Sequence, residues 1–313
     1  MCLKSACVSS AVSSCSLTGL FSSRSDPLVH YGRHWGRTVS TFCPIFGLVR
    51  DGMERKQRLG DDLEAYEDQV DAREARDHRL YRQLFLLVPK LEERLGQSSD
   101  EEIHYICNML TRGVNSARSD DTKSLKAALV DWITPPGGVL TPPIQRNVKT
   151  DRGFHHPRTG ELLCPPHWDW NDPKIREGLK SGELVPSGVH FPVFLYQDFK
   201  YPGDAKVWDG LFKSRLLVNA YKHVFTSPSS VGEKGSSRAT RSSNARIHGM
   251  KSVTIPSIAY IATQVRFALH SQSTFLRTDL VTDSEYFYDS VVALLEDMKE
   301  RQEVNELLTW WNL

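Results

Sequence analysis

"SSDEEIHYICNMLTRGVNSARSDDTKSLKAALVDWITPPGG", residues 98–138, holds the periodic pattern from which the fold class is read. Ser99 followed three residues later by Glu102 is a capping-box pattern, and Ile103, Ile106, Leu110 and Val114 recur at the three- and four-residue steps of one helical face. Gly113 weakens that helix. The Ser, Asp, Asp and Thr of "SARSDDTK" then read as a second N-terminus, where free amides and the helix dipole favour oxygen acceptors and negative charge. Leu125, Ala128, Leu129 and Trp132 form the next stripe, which Pro135, Pro136, Gly137 and Gly138 stop. Two consecutive helices, separated near Gly113, are therefore expected.

Working outward, residues 53–97 form a charge-dense helical segment that becomes apolar only near Leu80, Leu84, Phe85 and Leu87. On the C-terminal side, Asp172, Pro173 and Gly182 bracket a short helix as cap, first turn and exit. "VHFPVFLYQDF" reads as an extended buried segment or one poorly paired strand, because Pro192 would interrupt a ladder. Two long helices are expected, one in "DAKVWDGLFKSRLLVNAYKHVF" and one after Pro256 bearing Ile258, Ile261, Ala262, Val265 and Leu269. Thr282 and Glu285 suggest a further capping box, and "VNELLTWWNL" keeps helical spacing with no stop signal. The fold class is mainly α: an irregular helical domain over residues 98–313, with a flexible basic loop at 227–251 and an expected truncation at its C-terminal end.

The 313 residues are 40% hydrophobic and 25% charged, an ordinary globular composition, and a net charge of +1 leaves any anion binding to local patches. Residues 1–52 read as a disordered leader or a mispredicted first exon, and Lys4 and Arg24 among acid-free serines leave mitochondrial targeting as the alternative. Cys2, Cys7, Cys15, Cys43, Cys107 and Cys164 form no CxxC pair and no disulfide framework, so an intracellular, nuclear or cytoplasmic setting is expected. No membrane partner is implied, since no run of 18 uncharged apolar residues occurs.

"GFHHPRTGELLCPPHWDW", residues 153–170, suggests a short β-hairpin around residues 153–164, turning at Thr159 and Gly160. That register sets His155 opposite Cys164, so with His167 and either Asp169 or His156 they could hold zinc. The competing reading is a Pro-stiffened bend whose tryptophans pack. The loop holding Lys234, Arg238, Arg241, Arg246 and Lys251 against Glu233 could contact a nucleic-acid backbone without reading bases, or be a solvated insertion. No GxSxG, HExxH, GxGxxG or P-loop pattern marks an enzyme, and no catalytic residue is proposed. The functions left open are a binding or scaffold module contacting nucleic acid, a metal-binding protein, or a protein-interaction module working through the acidic helix before Leu95.

The strings "RGVNSARSDDTKSLK", "GFHHPRTGELLCP", "VFTSPSS", "ATRSSNARIHGM", "ATQVRFALHS", "TDSEYFYDS" and "LLTWWN" together resemble an uncharacterised domain family of basidiomycete fungi, over residues 110–313. The resemblance implies a fungal source and a shared fold. It carries no activity, so it transfers no functional residue. Family members continue past the "WWN", and the leader through Val49 lies outside their pattern.

Overall fold

The computed structural model describes residues 27–59, 70–231, 243–278 and 283–313. Among the described residues twelve α-helices follow one another: α1 (Pro27–Thr38), α2 (Ile45–Leu59), α3 (Ala72–Leu87), α4 (Leu91–Gln97), α5 (Asp100–Ile133), α6 (Pro157–Leu163), α7 (Pro173–Ser181), α8 (Arg215–Tyr221), α9 (Asn244–Ile247), α10 (Ile255–Leu269), α11 (Ser284–Glu296) and α12 (Arg301–Asn312). Among the described residues there is no strand, only an isolated antiparallel bridge between Tyr196 and Leu211. No described helix is long and apolar enough to cross a membrane.

The mainly α expectation holds, but the two helices expected around Gly113 are one. α5 runs unbroken for 34 residues from its Ser99 cap, whose side chain accepts from the Glu102 amide. Gly113 does not end it, because that residue is where α1 crosses: a Cβ there would stand 2.3 Å from the Val29 carbonyl oxygen. Across the same seam, a Cβ on Gly32 would lie 2.0 Å from the Leu110 carbonyl oxygen, and one on Gly36 3.0 Å from the Val114 side chain. Small residues on both sides let the two backbones touch.

The leader assigned to residues 1–52 does not extend over residues 27–52, which hold α1, a short connection and the start of α2, while residues 1–26 lie outside the described residues. Leu28, Trp35, Ile45 and Val49 are buried there with Tyr81 and Leu84 of α3 and Ile106 and Leu110 of α5. Nor does position 97 mark a boundary between packing units, because α5 supplies apolar residues to this cluster and to a larger one. In the larger cluster α10 is central, with every residue from Ser257 to Leu269 buried.

One polar device joins three of these helices. Arg37 of α1, 2% exposed, donates from Nε and Nη2 to the two carboxylate oxygens of Asp121 at 2.8 and 2.7 Å. Tyr260 of α10 donates its hydroxyl to the same carboxylate at 2.7 Å. Burial works against the Arg37 charge, but the charge and hydrogen bonds of Asp121 outweigh it and raise the guanidinium pKa. A second tie is made of rings: His248 stacks on His30 and His34 of α1, with centroids 4.2 and 4.4 Å away. Burial first, then neighbouring positive charge, pushes His34 down to about 4 and His248 to about 3, so the stack is neutral at ordinary pH.

Three further expectations are corrected. The hairpin around 153–164 is a 3-10 turn (Gly153–His155) followed by α6, because His156 caps that helix and Pro157 takes its first position. The long helix expected from Asp204 is shortened to α8, whose Ser214 cap accepts from the Leu217 amide; a π-helical turn at Lys222–Thr226 follows. "VFLYQDF" is mostly two 3-10 turns rather than a strand. As expected, Asp172 caps α7 and Gly182 ends it with φ +82°, whereas Thr282 lies outside the described residues and Asp283 caps α11 instead.

Asp121→Ala, which strands the Arg37 charge, should cost about 3–5 kcal/mol in urea denaturation. Gly32→Ala should cost about 1–3 kcal/mol by forcing α1 off α5. The control Gly96→Ala, in α4 with no atom within 4 Å of the added methyl, should be neutral or stabilising by up to about 1 kcal/mol.

Candidate functional site

The residues expected to hold zinc do not converge. His155, His167 and Asp169 are exposed, whereas Cys164 is 1% exposed. The Cys164 thiol donates to the Trp168 carbonyl at 3.4 Å, and burial, then the nearby Asp169, pushes it up to about 12. His167 Nδ1 lies 3.6 Å from Asp204, and Asp169 closes a turn by accepting from the Asn171 amide at 2.9 Å. His156 is used up locally: Nδ1 accepts from the Arg158 amide at 3.0 Å while Nε2 sits 2.7 Å from the Pro142 carbonyl, to which it donates. Among the described residues no group of three or more His, Cys, Asp or Glu could hold a metal ion. Trp170 packs over Gly160 so closely that a Cβ there would fall 2.2 Å from the indole.

Of the basic loop, Lys234, Arg238 and Arg241 lie outside the described residues. Arg246, in the four-residue helix α9, and Lys251 are exposed. Positive charge gathers elsewhere, on a face of α5 whose residues read, in sequence, as the start of a helix.

Asn115, Arg118, Ser119, Thr122, Lys123 and Lys126 follow one another at alternating steps of three and one, which places them on one side of α5. They form one wall of a pocket of about 370 Å³, and Lys149, Phe267 and the Ser273, Thr274 and Phe275 loop form the other. Among the described residues its lining carries four cations, Arg118, Lys123, Lys126 and Lys149, and no carboxylate. Three of them are fixed by neutral groups. Arg118 donates to Asn115 Oδ1 at 2.8 Å and lies 5.1 Å from the Phe275 ring centre. Lys126 Nζ donates to the Asn147 carbonyl at 3.2 Å. Lys149 Nζ donates to the Phe267 carbonyl at 2.5 Å and sits 3.3 Å from the centre of that ring. Thr122 donates to Gln264 Oε1 at 2.9 Å, which anchors the wall to α10.

Behind the pocket Arg152 is fully buried. It donates to the carbonyls of Ala268 and Lys126 at 2.9 Å, and to those of Gln145 and Arg146 at 3.2 Å. This clamp holds the loop that bears Lys149 against α5 and α10. Burial pushes the Arg118 and Arg152 guanidiniums down. The Lys149 ammonium, 5% exposed, is pushed to about 7 by burial first and then by the charges of Arg152 and Lys126. Concentrated, poorly compensated positive charge over an aromatic floor is an arrangement that can accept an anion.

Residues 112–313 match the model of a family described as "Family of unknown function (DUF6698)". The matched stretch contains all four cations of the pocket, as well as Asp121 and Tyr260, and begins inside α5. No curated protein and no solved structure matches the chain.

Because the unfolded chain keeps the Lys149 proton up to about 10.5 while the folded chain releases it near 7, the unfolded state binds more protons between those values. Folding stability carried by this group therefore rises with pH across that window. Wild type should gain stability relative to Lys149→Met between about pH 7 and pH 9 in paired urea titrations; parallel curves would show that Lys149 is solvated.

Proposed function

We propose that this chain, which belongs to the DUF6698 family of unknown function, is a binding module for a phosphate-bearing ligand held in the pocket between α5, Lys149 and the 273–275 loop. The observation that carries the reading is the charge set of the pocket: four cations with no lining carboxylate among the described residues, two of them in partly desolvated positions where a charge-assisted hydrogen bond is strong. The hydroxyls of Ser119, Ser273 and Thr274 supply further donors of the kind that fix phosphate oxygens. Phe267 and Phe275 give the ligand an apolar surface beside them, and the volume suits a small molecule rather than a bare ion.

A phosphodiester backbone is the polymeric form of the same chemistry. Exposed Arg246 and Lys251, with Lys234, Arg238 and Arg241 outside the described residues, would then extend the contact away from the pocket. Two or more phosphate charges match Arg118, Lys123 and Lys126 better than one, so pyrophosphate is the simplest probe.

Saturating pyrophosphate, at about a hundred times its Kd, should stabilise the fold by about 2.7 kcal/mol, read as a rise in Tm of about 4–5 °C. Inorganic phosphate should do less, and added sodium chloride should erode the effect. The Arg118→Ala, Lys123→Ala double variant should lose most of it. A melting temperature that pyrophosphate leaves unmoved, or moves equally in the double variant, would remove the reading.

A further inference from the structure

We propose that Lys149 is a reactive amine that captures a small phosphorylated aldehyde or ketone as an imine, while Arg118, Lys123 and Lys126 hold the phosphate. The proposal rests on the phosphate reading of the pocket and adds to it a covalent step at a named atom.

Lys149 differs from the other three cations in its surroundings. Its side chain is nearly removed from water, and it comes from the loop that Arg152 clamps to α5 and α10. Its ammonium has a carbonyl and a ring face as neighbours rather than a carboxylate. An ammonium in such a place, beside other cations, gives up its proton far more easily than a solvated one. Burial accordingly brings Lys149 to about 7. At about pH 7.5 most of it is free amine, whereas a solvent-exposed lysine is free amine only to about one part in a thousand. The hydrogen bond to the Phe267 carbonyl is one a neutral amine can still donate, so losing the charge does not release the side chain.

The chemistry balances without any further reagent. The Nζ lone pair attacks the carbonyl carbon, a C–N bond forms, and the C=O π pair moves to oxygen. One Nζ proton passes to that oxygen to give the carbinolamine. The hydroxyl then leaves as water, taking with it the second proton from nitrogen, and the C=N bond closes. One amine and one carbonyl give one imine and one water. The pocket walls divide the work: Lys123 and Lys126 attract and seat the anionic end, and the Phe267 and Phe275 side lies against the carbon skeleton.

The test uses the full chain and pyridoxal 5′-phosphate as the probe, with borohydride added afterwards to reduce any imine to a stable amine, and peptide mapping to locate it. At about pH 7.5 the expected result is labelling of Lys149 at least about ten-fold above Lys123, Lys126 and exposed Lys200, following its larger free-amine fraction. Pyridoxal without phosphate should label Lys149 about ten-fold less, and pyrophosphate should suppress the adduct. Lys149→Arg, checked for its helical circular dichroism, keeps the charge and should carry no adduct at position 149. Labelling spread evenly over exposed lysines, or absent from Lys149, overturns the proposal. If pyrophosphate raises the melting temperature while Lys149 stays unlabelled, the imine fails and the phosphate site stands. If pyridoxal labels Lys149 as well as its phosphate does and pyrophosphate neither stabilises nor competes, the phosphate site fails, and the proposal with it.

Discussion

A guanidinium that cannot reach water sets the terms for the rest of the molecule. Arg37 is buried where three helices meet, and only the Asp121 carboxylate, itself steadied by Tyr260, makes that position tolerable. A pair of this kind satisfies its geometry at one setting of α1, α5 and α10. The glycines of α1 and Gly113 of α5 allow the backbones to come close enough for it to form. With Asp121 turned toward α1 and α10, the helical repeat fixes where Arg118, Thr122, Lys123 and Lys126 fall. The core ion pair and the basic wall are therefore two consequences of one helix orientation.

The pocket repeats the problem of buried charge and leaves it half solved. Arg152 donates from its two terminal nitrogens to four backbone carbonyls while its Nε is left unpaired, and Lys149 has one carbonyl and a ring face, so the charges stay poorly neutralised. A structural site would place a carboxylate there, as the core does for Arg37. The contrast between the two arrangements, packed on different faces of α5, is the physical ground for proposing structure for one and ligand binding for the other.

Much of the helical frame was legible in the sequence because it depends on neighbours. Ser99 and Asp172 cap their helices, Gly182 terminates α7, and the α10 stripe is buried as its spacing requires. What was misread depends on partners far along the chain. Gly113 looks like a weak point until α1 lies against it. Thr159 and Gly160 look like a hairpin turn unless His156 is recognised as a cap in front of Pro157. The Ser-rich opening masked "GRHWG", whose two glycines serve close packing. The cations of α5 were in plain view, yet reading "SARSDDTK" as a second N-terminus broke up the helical face that they share. Lys149, Phe267 and Phe275 could join them only through tertiary packing.

The Arg37 pair also bears on what counts as an autonomous piece of this protein. Asp121 and Tyr260 fall inside the family-matched stretch, whereas Arg37 and the helix that presents it fall before it. A fragment trimmed to residues 112–313 would keep every pocket cation but carry a buried carboxylate with its counterion removed, along with a bare groove where α1 had rested. Sequence kinship and self-sufficiency thus draw their boundaries at different places in the chain.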